Sequence, residues 1–406
     1  MMLSSSQKQL IKDTIPVLRE NGAALTDYFY NRMLSNNPGL RETFNMGNQR
    51  SGAQAKALAG AVLAYAENID NPDVLLPVIE LICNKHVSLN IQAPDYDIVG
   101  ENLLISISEV LNLPMDCDLI AAWGAAYGQL ADIFIQTERG MYSQQEALAG
   151  GWLGWRDFTV IKKVPESDEI TSFYLKPVDG GIIPSYKPGQ YVSVRVHVPQ
   201  LGFRQPRQYS ISDSPGNEYI RITVKHESSR SEDQDPGYVS TTLHEVIQIG
   251  NVIELSAPAG NFFLADPARS NVLISAGVGL TPMVAMLNQI ITSETGAPVF
   301  FIHAVRGAQY HALKNEIAEL NKNSPNLHVF YIYESVGEHD IPGSDYHMQG
   351  RLDIEMLPEN YLPSDADFYL CGPQVFMQQQ HKALIKKGIN PDKIFSEAFG
   401  TGGVSL

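Results

Sequence analysis

The stretch LICNKHVSLN, residues 81–90, sets a histidine one helical turn after a run of apolar residues. An imidazole so placed either packs with a hydrogen-bond partner or holds a metal, and the local sequence leaves both readings of His86 open. LISAGVGLTPM, residues 273–283, reads as a strand, a glycine turn and a helix start at which Pro282 loses nothing by lacking an amide proton. Gly277 and Gly279 would let the backbone approach a phosphate while free amides of the next helix face it. The third glycine of GxGxxG and the lysine of a P-loop are both missing, so a turn that binds nothing is the alternative. FYLCGPQVFM, residues 368–377, is a second such turn. It brings Cys371 and Gly372 to a strand end, where ligands of open parallel sheets sit; a buried, inert Cys371 is the competing reading.

Two further stretches carry polar groups suited to a flavin. RQPRQYSISDSP places Arg207, Tyr209 and Ser210 at the end of one strand. The arginine can neutralise a phosphate, the tyrosine can offer a flat face to an isoalloxazine ring, and the serine can bond a ring nitrogen. GYVSTTLHE, residues 237–245, sets Ser240, Thr241 and Thr242 before a short helix, where hydroxyls and amides could hold a pyrophosphate. Helix capping is the ordinary use of such hydroxyls.

Three styles of chain position these residues. From about 5 to 142 the apolar residues fall at helical spacing, with helices expected over 16–34, 52–69, 99–111 and 118–141 and a shorter one over 74–87. Pro94 stops that short helix from running on. After AGGWLGWRDF, the stretches FTVIKKV, ITSFYLKPV, QYVSVRVHV, YIRITVKH and NVIELSAP alternate with the two-residue period of antiparallel strands, as in a small barrel. From about 270, NVLISAG, PVFFIHAV, LHVFYIY and DFYLCG are short, nearly continuous apolar runs between helical stretches, the pattern of buried parallel strands. The fold expected is therefore multidomain: an all-α domain over 1–148, an antiparallel β-barrel over 149–266 and an α/β nucleotide-binding domain with a parallel sheet over 267–406.

Composition narrows the partners. A chain of 406 residues suits two or three domains. A formal charge of −16 argues against a general nucleic-acid binder, which needs a basic face. No apolar run is long enough to span a bilayer, and the first residues lack the pattern of a signal peptide. Three cysteines with no CxxC spacing fit a reducing compartment. The expectation is a cytoplasmic protein with small-molecule partners, and a monomer.

In their order, RQYS, GYVSTT, AGVGLTPM and CGP resemble the ferredoxin–NADP reductase type of flavoprotein, and with the helical domain in front the chain from about 3 to 400 resembles the flavohemoglobins. That resemblance implies a globin domain with heme b, bound FAD, reduction by NADH or NADPH, and conversion of nitric oxide to nitrate by a nitric oxide dioxygenase. NPGLRETFNM resembles the family's heme-packing corner, with Phe44 against the porphyrin, and DYFYNRM and SGAQAKAL supply Tyr30, Gln54 and Leu58 to the distal side. NKHVSL stands where the family has its proximal iron ligand, which makes His86 that ligand; Tyr96 and Glu138 match its hydrogen-bonding partners. Lys85 resembles a lysine at the contact of heme and flavin domains, with a solvated helix lysine as the plain alternative.

The same resemblance carries FAD contacts to Tyr191, Arg207, Gln208, Tyr209, Ser210, Ser240, Thr241 and Thr242. It carries nicotinamide contacts to Gly277, Gly279, Leu280, Thr281, Pro282, Cys371 and Gly372. FSEAFG resembles the closing segment whose aromatic approaches the flavin, here Phe399, with Glu397 beside it; Ser396 and Ala398 depart from the family's usual residues. The acidic stretch 226–238 is longer than the family's glycine-rich turn and reads as a surface insertion. Arg306, in HAVRGAQYH, could meet a 2′-phosphate or sit in solvent. A lipid in the distal pocket is a further partner to consider. Rival readings are a reductase serving a separate protein, a globin-based redox sensor, and a side activity in dihydropteridine reduction.

Overall fold

The computed structural model describes residues 3–228 and 237–400, so most of the acidic insertion, residues 229–236, lies outside the described residues. The chain divides into two compact units: residues 1–147 with 152–155 and 195–207, and residues 148–151, 156–194 and 208–406.

The first unit is helical: α1 (Ser5–Asp13), α2 (Ile15–Asn36), α3 (Met46–Arg50), α4 (Ala53–Glu67), α5 (Leu76–Ser88), α6 (Ala93–Leu111) and α7 (Asp118–Ala147). Local chemistry starts these helices. Ser4 and Gln7 form a capping box on α1, and prolines occupy the first turns of α2, α5 and α6. Pro94, expected to stop a helix, starts α6, where Gln92 and Asp95 complete a second reciprocal cap. One core joins Ile11, Leu25, Phe29, Met33, Leu103, Ile107 and Trp123, and a smaller one joins Ile79, Cys83, Tyr96, Ala131 and Phe134.

Residues from later in the chain complete this unit. The fully buried Gln205 side chain donates to the Arg41 carbonyl at 2.6 Å and accepts from the Met46 amide at 3.0 Å. The Arg195 guanidinium lies over the Trp155 ring, 4.3 Å from its centroid.

Six strands follow: β1 (Trp155–Pro165), β2 (Ile170–Pro177), β3 (Tyr191–Val198), β4 (Phe203–Ser210), β5 (Ile220–Lys225) and, after the short helix α8 (Tyr238–Thr241), β6 (Val252–Ser256). They lie in the order β4-β3-β6-β1-β2-β5, with β1–β2 and β2–β5 antiparallel. An antiparallel bridge between Ile211 and Ile222 ties the end of β4 back to β5 and closes the sheet into the expected barrel. Alternation is incomplete: Tyr191–Val194 and Ile220–Val224 are buried without a break, because both faces of these strands are covered.

The second sheet, also in six strands, runs β10-β9-β8-β7-β11-β12, and every pairing is parallel. Its members are β7 (Asn271–Ala276), β8 (Val299–Val305), β9 (Leu327–Tyr333), β10 (Met348–Gln349), β11 (Asp367–Cys371) and β12 (Ile394–Glu397), with helices α9 (Leu280–Thr292), α10 (Lys314–Asn323) and α11 (Gln374–Lys386). One face buries Leu273, Phe301 and Tyr369 against Met283, Val284 and Leu287 of α9; the other buries Val272, Ile274, Phe300 and Phe368 against Leu384 of α11. Two histidines are enclosed here, His303 with Nδ1 at 2.9 Å from Ser275 Oγ, and His311 with Nδ1 at 2.8 Å from the Tyr333 hydroxyl. Among the described residues no single helix is long and apolar enough to cross a membrane.

Candidate functional sites

Three helices bring His86, Tyr96 and Glu138 together. His86 sits in the last turn of α5, Tyr96 in the first turns of α6, and Glu138 on the buried face of α7. Glu138 Oε1 lies 2.8 Å from His86 Nδ1 and accepts from the Tyr96 hydroxyl at 2.6 Å; that hydroxyl is also 2.9 Å from Nδ1. Burial first, and the bond to Glu138 second, push the Tyr96 phenol well above its ordinary range, so it stays a donor. The carboxylate thereby holds the proton on Nδ1 and turns the lone pair of Nε2 outward, the arrangement of a metal-ligating imidazole. No protein group bonds Nε2 among the described residues.

Phe134 packs against this group, its ring centroid 5.7 Å from His86 and 6.1 Å from Tyr96. Sequence reading missed it, although its place four residues before Glu138 puts both on one face of α7. Lys85 precedes His86, half-buried, in the last turn of α5.

The second group is centred on Tyr30 of α2. Its ring meets Phe29 and Phe44 edge-on at centroid distances of 4.9 and 5.7 Å. Burial pushes the Tyr30 phenol up to about 12, against a smaller opposing effect of its hydrogen bond with Gln54. The hydroxyl is therefore a neutral donor at physiological pH. Gln54 and Leu58, one turn apart on α4, are both half-buried, and Leu58 and Phe44 line the edge of the apolar core.

On the barrel, β4 presents Arg207 and Tyr209, half-buried, from one face and Ser210, buried, from the other, with Gln208 exposed between them. Tyr191 is buried at the start of β3 and bridges Ala259. Ser240, Thr241 and Thr242 do not precede a helix, as their sequence suggested; they lie within one, because the helical turn begins directly after Gly237. Two of the hydroxyls therefore fold back on its carbonyls, Ser240 Oγ to Gly237 at 3.0 Å and Thr242 Oγ1 to Tyr238 at 2.8 Å. Thr241 Oγ1 is buried with no protein partner among the described residues, an orphan that a phosphate oxygen would satisfy.

In the parallel sheet, β8 to β10 lie to one side of β7, and β11 and β12 to the other, so the turns after β7 and β11 flank the point where strand order reverses. Gly277 takes φ +54° at the first turn. A Cβ on Gly279 would stand 2.3 Å from the Cys371 carbonyl oxygen and 2.8 Å from the Gly372 amide nitrogen. Gly279 is thus needed for the two turns to pack on each other, a different reason from the phosphate approach expected of it. Leu280, Thr281 and Pro282 form the first turn of α9, all buried. Cys371 does not line a cleft: its side chain is fully buried in the core under α9, and burial holds its thiol well above the usual range. Two residues beyond β12, Phe399 is exposed, and Glu397 at the end of β12 is half-buried beside Cys371 in register.

Family comparison agrees with this division of labour. Residues 27–134 match the globin family, 157–264 the oxidoreductase FAD-binding domain and 273–382 the oxidoreductase NAD-binding domain. Fold and sites together define an oxidoreductase in which a globin is fused to a flavoprotein reductase module. The chain is 52% identical to a flavohemoprotein of Bordetella parapertussis over the whole of both chains, and 49% identical to one of Chromobacterium violaceum over 98% of this chain and 99% of that one. It superposes on the flavohemoglobin of Malassezia yamatoensis, solved with FAD and heme, with a TM-score of 0.84 and 29% identity, covering 98% of this chain and 100% of that one. The chain belongs to the flavohemoprotein family.

Proposed function

We propose that this protein is an NAD(P)H-dependent nitric oxide dioxygenase of the cytoplasm that carries heme and FAD and converts nitric oxide to nitrate. The arrangement of His86, Tyr96 and Glu138 carries the reading, supported by a 38% identical relative, the FAD/NAD-binding domain of a nitric oxide dioxygenase from Vibrio cholerae, which spans 60% of this chain and 98% of its own. Among the described residues no three His, Cys, Asp or Glu side chains converge on a metal position. A lone imidazole holds iron firmly only when a macrocycle supplies the other ligands, so the donor set fits heme. Thr241 Oγ1 and, at the end of β4, Arg207, Tyr209 and Ser210 fit FAD. When bound, FAD would supply the conversion of a two-electron hydride into single electrons, and heme an iron for oxygen chemistry.

The chain's own residues do the rest. Glu138 keeps the Nδ1 proton in place and lends the imidazole anionic character, which favours oxygen activation over reversible carriage. Tyr30, a neutral donor in an apolar wall, offers its hydroxyl to negative charge developing on oxygen, and Gln54 orients that hydroxyl. Phe44 and Leu58 exclude water from the same space. Arg207 would hold a phosphate, Tyr209 and Tyr191 would face the ring, Gln208 and Ser210 would bond its edge, and the turn of Ser240, Thr241 and Thr242 would take the pyrophosphate through Thr241 Oγ1. Residues Gly277 to Pro282 and Gly372 would seat the dinucleotide, and Phe399 would cover the flavin. In this reading heme would be held by residues of 1–148, FAD by those of 149–266 and the dinucleotide by those of 267–406. One hydride supplies two electrons, enough to turn two nitric oxide and two dioxygen molecules into two nitrates.

The test compares the intact protein with Tyr30→Phe. Nitric oxide consumption should fall about 10- to 100-fold, the cost of removing one pre-set donor. Under carbon monoxide without oxygen, NADH or NADPH should still bleach the flavin and move the heme band in both proteins. Bleaching with no response from heme would favour a reductase that serves a separate protein.

A further inference from the structure

Arg306 is just over half exposed and already holds a carboxylate partner. It follows β8 directly, and its Nη2 lies 2.6 Å from Glu169 Oε2. The guanidinium stacks on Tyr310, 3.7 Å from the ring centroid. Glu169 is placed by backbone bonds: its carbonyl accepts from the His226 amide at 2.7 Å, and the neighbouring Asp168 amide donates to the Gln309 carbonyl at 3.0 Å. That second bond fastens the turn between β1 and β2 to the loop after β8, so the carboxylate and the guanidinium meet by construction. A second acid, Glu334, adds negative field at the end of β9 and is itself 3.4 Å from Arg351.

A dinucleotide whose pyrophosphate lies at the turn after β7 sends its adenosine ribose toward the end of the adjacent strand, here β8. We propose that Glu169 selects NADH over NADPH by occupying the charge of Arg306 and presenting a carboxylate where a 2′-phosphate would lie. This rests on the reading that a nicotinamide dinucleotide reduces the flavin of this chain. A 2′-hydroxyl can donate to the carboxylate, whereas a 2′-phosphate meets like charge and an arginine already paired. With Glu169 uncharged, Arg306 is released and the site accepts the phosphate.

The experiment uses flavin-loaded full-length protein without oxygen and follows flavin bleaching by NADH and by NADPH, together with titration by adenosine 2′,5′-bisphosphate and 5′-AMP. The unaltered protein should favour NADH. Glu169→Gln should raise the NADPH-to-NADH ratio about fivefold or more, the size expected from relieving one half-exposed charge conflict. Adenosine 2′,5′-bisphosphate should tighten relative to 5′-AMP by a similar factor. Adding Arg306→Ala to that variant should cancel both gains. An unchanged ratio, or a gain that survives loss of Arg306, overturns the inference. If neither nucleotide bleaches the flavin, the parent reading fails, and the binding titration still decides the role of Glu169.

Discussion

One oxygen atom of Glu138 accepts from two neighbours, His86 and Tyr96, inside a site where the carboxylate is almost wholly hidden from water. Glu138→Gln keeps the shape and removes the charge. It should destabilise the fold by about 1–3 kcal/mol, since one buried donor loses its charged acceptor. In heme-loaded ferrous protein the iron–histidine stretching frequency should drop; an unshifted band would show that the carboxylate merely packs. The three residues were legible only through family resemblance, because separations of 10 and 52 positions follow no local period. Cys371 could have been placed from pattern alone: it follows Tyr369 by two, and residues two apart in a strand share a face. The strand-end position suggested a cleft, but the α9 face of the sheet covers that side.

At the scale of elements, the close packing of the turns after β7 and β11 depends on the missing side chain at Gly279. Gly279→Ala must push apart two backbones, with no flexible side chain to yield, and should cost about 2–4 kcal/mol in thermal melts of the whole protein. A change below about 0.5 kcal/mol would mean that the turns separate freely. Helices and parallel strands were readable because their burial follows directly from apolar spacing. The π-type turn over Thr242–Val246 was not readable, since nothing in TLHEV distinguishes a wide turn from an ordinary one. The barrel itself was expected from the run of alternating strands, but the residues that close it were not readable, because the bridge between Ile211 and Ile222 is a tertiary pairing of residues with no special character.

For the molecule as a whole, the enclosed histidines of the second unit make acid a selective stress. Burial lowers the imidazole of His303 from 6.5 to about 4, and burial holds that of His311 well below its ordinary value. Unfolded, each takes a proton near 6.5; folded, His303 refuses it until the pH is near 4, and His311 is held in the same direction. The unfolded chain therefore binds more protons in that window, so stability is full above pH 6.5 and falls as pH drops toward 4, by about 3 kcal/mol for His303 alone. Denaturant midpoints at pH 7 and pH 5 should show this loss, and His303→Gln should flatten the slope. Equal slopes in variant and parent would assign the acid sensitivity elsewhere.

The bonds from Gln205 to Arg41 and Met46 join positions 164 and 159 residues apart and latch the corner that carries Phe44. A ribosome adding about 5–20 residues per second needs roughly 8–30 seconds to make that span. The helices of the first unit are thus born and able to pack well before their last latch exists. During that interval the nascent corner is held by its own short turns and by the packing of Phe44 on Tyr30, without the two bonds that later fix it from outside.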